Sequence, residues 1–267
     1  GCINMDCLSD VDFGLIGYPL GHSFSKTFFT EKFAREGKNL KYENFELPTL
    51  NPTALYSLVL LNPRLKGFNV TAPYKETVME YLDKTEGVAA AIGAVNTVKI
   101  IRDDTGRVLR LEGYNTDVEG FRESLRPLVE GMKGKGALVL GTGGASKAAF
   151  EGLKQLGLKP IKVSRSSKDS NTLLYTDLTP DIMETHPVVV NCTPLGTAPD
   201  ISRCPAIPFD LLPEGAVCFD MVYNPEETEF LRRASAHGAK TKNGLEMLHR
   251  QALASLSIWL TPASAGE

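Results

Sequence analysis

The sequence predicts an α/β protein built from two domains. Apolar, strand-like runs alternate with helical stretches, the alternation starts again after residue 117, and a glycine turn joins a strand to a helix in the second half. The length of 267 residues suits one large domain or two smaller ones, at about 100–200 residues each.

Residues 12–18 (Val-Asp-Phe-Gly-Leu-Ile-Gly) read as a short strand stopped by Pro19. Phe28, Phe29 and Phe33 then recur at helical spacing, so 25–36 is a helix with Ser25 as its expected N-cap. A strand near 41–47, a helix near 52–61 and an apolar strand at 66–70 follow, and 74–82 reads as helical. Val95–Ile101, the turn Asp103-Asp104-Thr105-Gly106 and Val108–Leu111 form an expected hairpin. Strands among helices imply a mainly parallel sheet in this half.

In the second half a helix near 117–131 leads to Gly136–Gly141, the glycine turn, and a helix over about 145–156. Apolar strands follow at 160–164, 187–191 and 216–220, with helical stretches between them. Residues 244–260 read as a long helix with Leu245, Leu248, Ala252, Leu256 and Trp259 on one stripe. Its pattern alone leaves open whether it extends the second half or folds back on the first.

Composition narrows the function. With 29 Lys+Arg against 32 Asp+Glu, the net charge is −3, and no basic block offers a footprint for nucleic acid. No apolar run reaches the ~20 residues of a membrane span. The start lacks the charged and apolar regions of a signal peptide. Five scattered cysteines without Cys-x-x-Cys spacing, and four histidines without a His-x-x-x-His pair, argue against a disulfide framework and a metal site. These features suit a reducing cytoplasm.

Leu138-Val-Leu-Gly141-Thr-Gly143-Gly144-Ala145-Ser146 is a strand, a tight turn and a helix start. Glycines there let a pyrophosphate approach backbone N–H groups at a helix N-terminus. A Walker A loop fails, because Lys147 is followed by Ala148 rather than Ser or Thr. The next strand ends in Ser164-Arg165, with Lys168 close by, where an NAD site normally carries an acidic residue. Cations and hydroxyls suit a ribose 2′-phosphate, so NADP is the expected cofactor.

In the first half, four segments place polar side chains where strands end: His22–Ser25, Asn69–Lys75, Ala94–Thr97 and Tyr114–Asp117. Each has a bland reading by itself: Ser23 and Ser25 could cap a helix, Asn96 could bond backbone, and Lys75 could be a surface charge. They also belong to an ordered series. Gly17-x-Pro19-x-x-His22-Ser23-x-Ser25, Gly67-Phe-Asn69-Val-Thr71-x-Pro73-x-Lys75, Gly93-Ala-Val-Asn96-Thr and Gly113-x-Asn-Thr-Asp117-x-x-Gly120 precede the glycine turn. Asn191-x-Thr193-Pro194, Asp220-x-Val-Tyr223-x-Pro225 and Asn243-Gly244-Leu-x-Met-Leu-x-x-Gln251 follow it. The series, from about residue 14 to 260, resembles the shikimate dehydrogenase family.

That resemblance implies a substrate-binding catalytic domain over 1–116, a Rossmann-type NADP domain over 117–243, and a C-terminal helix, 244–267, that returns to the first domain. It implies the reversible NADPH-dependent reduction of 3-dehydroshikimate to shikimate, in aromatic amino-acid biosynthesis. Ser23 and Ser25 would donate to the substrate carboxylate, with Tyr223 and Thr71 nearby. Asn69 would also bind substrate, and Asn96, Gln251, Lys75 and Asp117 would hold the ring hydroxyls. Lys75 and Asp117 would be the catalytic pair. Gly141, Gly143, Gly144, Ala145, Ser164, Arg165, Thr193 and Gly244 would line the cofactor, and no metal is expected. A monomer or homodimer acting on a small molecule fits this picture.

Departures from the family pattern are Ser164 where Asn is common, Thr142 where Ala is common, and the polar Glu246 and His249-Arg250 in the last helix. Two alternatives stand beside the main reading. One is a quinate/shikimate dehydrogenase of broader specificity. The other is a catalytically silent NADP-binding regulator, which would have no reason to keep Lys75, Asp117 and the two serines together.

Overall fold

Strand β1 (Phe13–Gly17) and strand β3 (Gly67–Val70) are buried at every position, as continuous apolar runs must be when both faces of a sheet are covered. They belong to a computed structural model that describes residues 9–21, 23–166 and 169–263; His22 and Lys168, named above, lie outside it. Contacts divide the chain into two compact units, one running through Thr116 and again from Ala252, the other Asp117–Gln251.

The first unit holds β1, helix α1 (Phe24–Arg35), β2 (Tyr42–Glu46), α2 (Pro52–Leu61), β3, β4 (Lys84–Thr85), α3 (Gly87–Ile92), β5 (Thr97–Arg102) and β6 (Val108–Tyr114). Its six strands lie in the order β2-β1-β3-β5-β6-β4. The expected mainly parallel sheet holds for three of its five pairings, β1 with β2 and β3 and β4 with β6, but β5 runs antiparallel to both of its neighbours, β3 and β6. The Asp103–Gly106 turn forces this reversal, because a tight hairpin joins only antiparallel strands.

Helix α1 starts one residue earlier than expected, and its N-cap is Ser23 rather than Ser25; the Ser23 side chain accepts from the Lys26 N–H. Residues 74–82 form only a 3-10 stretch at Thr77–Tyr81, where β-branched Thr77 and Val78 are weak helix formers. The short β4 and α3 carry too little periodicity to be seen in sequence. α3 ends on Gly93, with φ 70°.

The second unit contains α4 (Asp117–Leu125), β7 (Gly136–Leu140), α5 (Gly144–Gln155), β8 (Lys159–Ser164), β9 (Thr172–Leu174), α6 (Pro180–Thr185), β10 (Val188–Asn191), β11 (Val217–Asp220), α7 (Glu229–Ala236) and β12 (Lys240–Lys242). α4 stops well short of residue 131 because Pro127 restrains the residue before it from helical geometry, and a 3-10 turn covers Arg126–Leu128. The sheet order is β12-β11-β10-β7-β8-β9, with every pairing parallel. This is the doubly wound Rossmann order, and its switch point lies between β7 and β10.

The last helix, α8 (Leu245–Leu260), does not belong wholly to the first unit, as the sequence reading had it. Met247 packs with Phe121 and Phe219 in the core of the second unit. Ala252, Leu256 and Trp259 pack with Phe13, Phe29 and Tyr42 in the first. The division falls at Gln251/Ala252. Trp259 also donates its indole N–H to the Val98 carbonyl at 3.0 Å. Glu246, His249 and Arg250, the polar departures in this helix, are exposed, and Glu246 pairs with Lys242 at 2.8 Å.

Candidate active site

In the first unit, Asn69 and Asn96 anchor a buried hydroxyl-and-amide network. Asn69 is 5% exposed and Asn96 3%, so each amide must find partners inside. The Asn69 amide donates to Ser255 at 3.1 Å and to Thr97 at 3.3 Å, and its carbonyl accepts from the Tyr42 hydroxyl at 2.8 Å. Asn96 accepts from the Thr116 N–H at 2.7 Å and donates to the Thr116 hydroxyl at 2.8 Å. Ser255 completes the set, 2.8 Å from the Thr97 hydroxyl and 3.1 Å from that of Thr116.

Ser25 reaches this network through Tyr42, whose phenol it hydrogen-bonds; burial holds that phenol's pKa far above its usual value, with Ser25 opposing. Ser23 uses an oxygen lone pair to cap α1, which leaves its own O–H as a donor. Thr71 sits against the end of β1, where its methyl would lie 2.4 Å from a Cβ on Gly17. Only glycine fits there.

Lys75 is partly buried, and its carbonyl accepts from the Val95 N–H at 2.8 Å, on the residue before Asn96. Asp117 opens α4 and is 7% exposed, with its charge at the end of the helix that favours an anion. At the boundary of the second unit Gln251 is buried, and its amide donates to the Leu248 carbonyl at 3.0 Å. Tyr223 is half-buried, and burial raises its phenol pKa.

The glycine turn of the second unit has the form a dinucleotide needs. Gly141 has φ +108° and Gly143 φ +91°, both in the region that favours glycine. A Cβ on Gly141 would come within 3.0 Å of the Thr193 methyl. A Cβ on Gly143 would point into open space, with nothing within 4 Å, so that side of the start of α5 is open to an anion. Ser146, in the third position of the glycine pattern, is buried and returns its hydroxyl to the Gly143 carbonyl at 2.7 Å. These residues fit a bound NADP.

Ser164 ends β8 and accepts from the Ser166 N–H at 3.2 Å. Arg165 is exposed; its charge acts on the Tyr175 phenol, whose pKa burial raises and Arg165 lowers. Gly244 lies tight against the Met221 backbone, where a Cβ would be 2.1 Å from the carbonyl oxygen. Thr193 is held by Asn191, which accepts from its N–H at 2.9 Å and its hydroxyl at 2.7 Å.

Residues 15–98 match the family model described as the shikimate dehydrogenase substrate binding domain. A relative named shikimate dehydrogenase (NADP(+)) from Caldanaerobacter subterraneus subsp. tengcongensis is 36% identical over 92% of this chain and 90% of its own length. The chain belongs to the shikimate dehydrogenase family. A second relative of the same name, from Methanococcus maripaludis, is also 36% identical, over 92% of the chain and 90% of its own length. The crystal structure of shikimate 5-dehydrogenase from Thermus thermophilus, in complex with NADP(H) and shikimate, has a TM-score of 0.79 and 32% identity, covering 94% of this chain and 93% of that one.

Two members of the buried network around Asn69 and Asn96 escaped the sequence reading. Tyr42 looked like a strand aromatic. Ser255 lies on α8 between Ala252 and Trp259, and a polar residue at that helical spacing, inside an apolar stripe, was the available signal.

Proposed function

We propose that the chain catalyses the reversible, NADP-dependent oxidation of shikimate to 3-dehydroshikimate. The observation that carries this is the anchoring of Lys75 beside Asn96: one backbone hydrogen bond, Val95 N–H to the Lys75 carbonyl at 2.8 Å, ties an ammonium-bearing residue to the segment that leads into Asn96 and β5. When bound, the nicotinamide supplies or accepts the hydride. The chain's own residues do the rest. In the reducing direction the Lys75 ammonium donates a hydrogen bond to the ketone oxygen, stabilises its growing negative charge and delivers the proton. The Asp117 carboxylate orients that ammonium and accepts a hydrogen bond from the neighbouring hydroxyl.

Ser23 and Ser25 hold the substrate carboxylate, and Asn96 and Gln251 hold ring hydroxyls. Asn69 backs this face, with its amide already engaged by Tyr42, Ser255 and Thr97. A site built to pair several hydroxyls rejects analogues that lack them, because buried polar groups would be left unpaired. Arg165 meets the 2′-phosphate and sets the preference for NADP. The enzyme works in the cytoplasm, where Cys204 and Cys218, free thiols among the described residues, stay reduced.

Steady-state rates with shikimate and quinate, each with NADP and with NAD, test this assignment. Turnover confined to shikimate with NADP is the expected result. Comparable rates with quinate or NAD would move the chain to the broader branch, and inactivity of a folded, NADPH-binding protein would overturn the reading.

A further inference from the structure

Asp220 ends β11 with no exposed surface at all, and its carboxylate accepts three hydrogen bonds from different parts of the second unit. Asn191 Nδ2, at the end of β10, donates at 3.1 Å; the Thr228 hydroxyl, which caps α7, donates at 2.6 Å; the Val222 N–H donates at 2.9 Å. All three donors are neutral. Burial pushes the carboxylate pKa up to about 6 against those bonds. Keeping a charge there costs stability that an apolar residue would not, and its three bonds give it a positional role instead.

The contacts lead towards the cofactor turn. Asn191, oriented by Asp220 through its amide nitrogen, uses its oxygen to hold both the N–H and the hydroxyl of Thr193. The Thr193 methyl and the Cys192–Thr193 peptide lie against Gly141, within 3.0–3.3 Å of where its Cβ would be. β10 adjoins β7, so this series of contacts ends at the switch point where doubly wound sheets bind their ligands.

We propose that Asp220 is a positioning residue for the cofactor, acting through Asn191 to set Thr193 against the glycine turn. The proposal rests on the NADP reading above and adds to it a residue that need not touch the cofactor.

The test measures the NADPH dissociation constant by nicotinamide fluorescence for wild type, Asp220→Ala, Thr193→Ala and the double variant, with thermal unfolding of each alongside. Loss of a buried hydrogen-bonding partner corresponds to roughly a tenfold or greater effect. Asp220→Ala should therefore raise the dissociation constant about tenfold at temperatures where it is fully folded. Adding it to Thr193→Ala should cost little more, because residues in one network are not additive. Asp220→Asn, which keeps one acceptor, should restore part of the affinity, and it carries the same cycle if the alanine variant does not fold. A lower unfolding temperature with unchanged NADPH affinity would overturn the proposal and leave Asp220 a structural residue. So would full additivity with Thr193→Ala. Failure of the wild type to bind NADPH would instead overturn the cofactor assignment itself.

Discussion

Asn69 in β3 and Ser255 in α8 are 186 residues apart in sequence and share a buried hydrogen bond of 3.1 Å. The serine hydroxyl also lies within hydrogen-bond distance of Thr97 and Thr116, so one side chain of the last helix ties together three segments that surround Asn96. The helix is thereby part of the buried network around Asn96 as well as of the core.

Ser255→Ala removes that hydroxyl and leaves the buried donors and acceptors around it underpaired, at a cost of about 1–3 kcal/mol. We expect urea unfolding to show a loss in this range, and the KM for shikimate to rise severalfold. Unchanged stability would mean that the network re-pairs without the serine.

Lys75→Ala should lower kcat by ~10²-fold or more, the range of general acid–base catalysis, while the KM for shikimate moves only a few-fold. A large rise in KM at constant kcat would show that Lys75 merely binds. Steady-state kinetics of the purified variant separate the two.

How much of this was legible beforehand depends on the range of the interactions. β1, α2, β7 and β10 were readable because local apolar runs and caps determine them. The cap of α1 was displaced by two residues, since Ser23 and Ser25 offer the same chemistry and only the backbone chooses between them. The mixed first sheet followed from a hairpin already visible at Asp103–Gly106, whose consequence for strand direction was not drawn. Chemistry-bearing residues such as Lys75 and Arg165 stood out by motif. Tyr42 and Ser255 did not, because their roles exist only through partners far along the chain, and Asp220 stood in a motif with no role attached to it. The division of α8 between two cores was equally hidden, since Met247 lies off the stripe of Leu248, Ala252, Leu256 and Trp259 and only its partners Phe121 and Phe219 reveal the second core.

Arg165→Ala should erode the preference for NADP over NAD by about tenfold or more, because a charge-assisted contact to phosphate is worth about 1.5–3 kcal/mol. The ratio of kcat/KM for the two cofactors reports it. A ratio equal to that of the wild type would place recognition of the 2′-phosphate elsewhere.

Asp220 gives stability an unusual pH dependence. Its folded pKa of about 6 lies above the ordinary 3.8, so the folded chain binds this proton more tightly than the unfolded chain does. The contribution is therefore fully present below about pH 4 and is lost as pH rises through about 6, a change of about 3 kcal/mol. Urea unfolding of wild type and Asp220→Asn across this window should show their stability difference shifting against the wild type as pH rises. A constant difference would mean that the carboxylate titrates normally in the folded chain.

The most direct test of the central claim follows the hydrogen itself. Shikimate carrying deuterium on the carbon of its 3-hydroxyl, incubated with the protein and NADP, should give 3-dehydroshikimate without the label and reduced nicotinamide that carries it, as read by mass spectrometry. Absence of deuterium from the nicotinamide, in a protein that folds and binds NADP, would contradict the assignment.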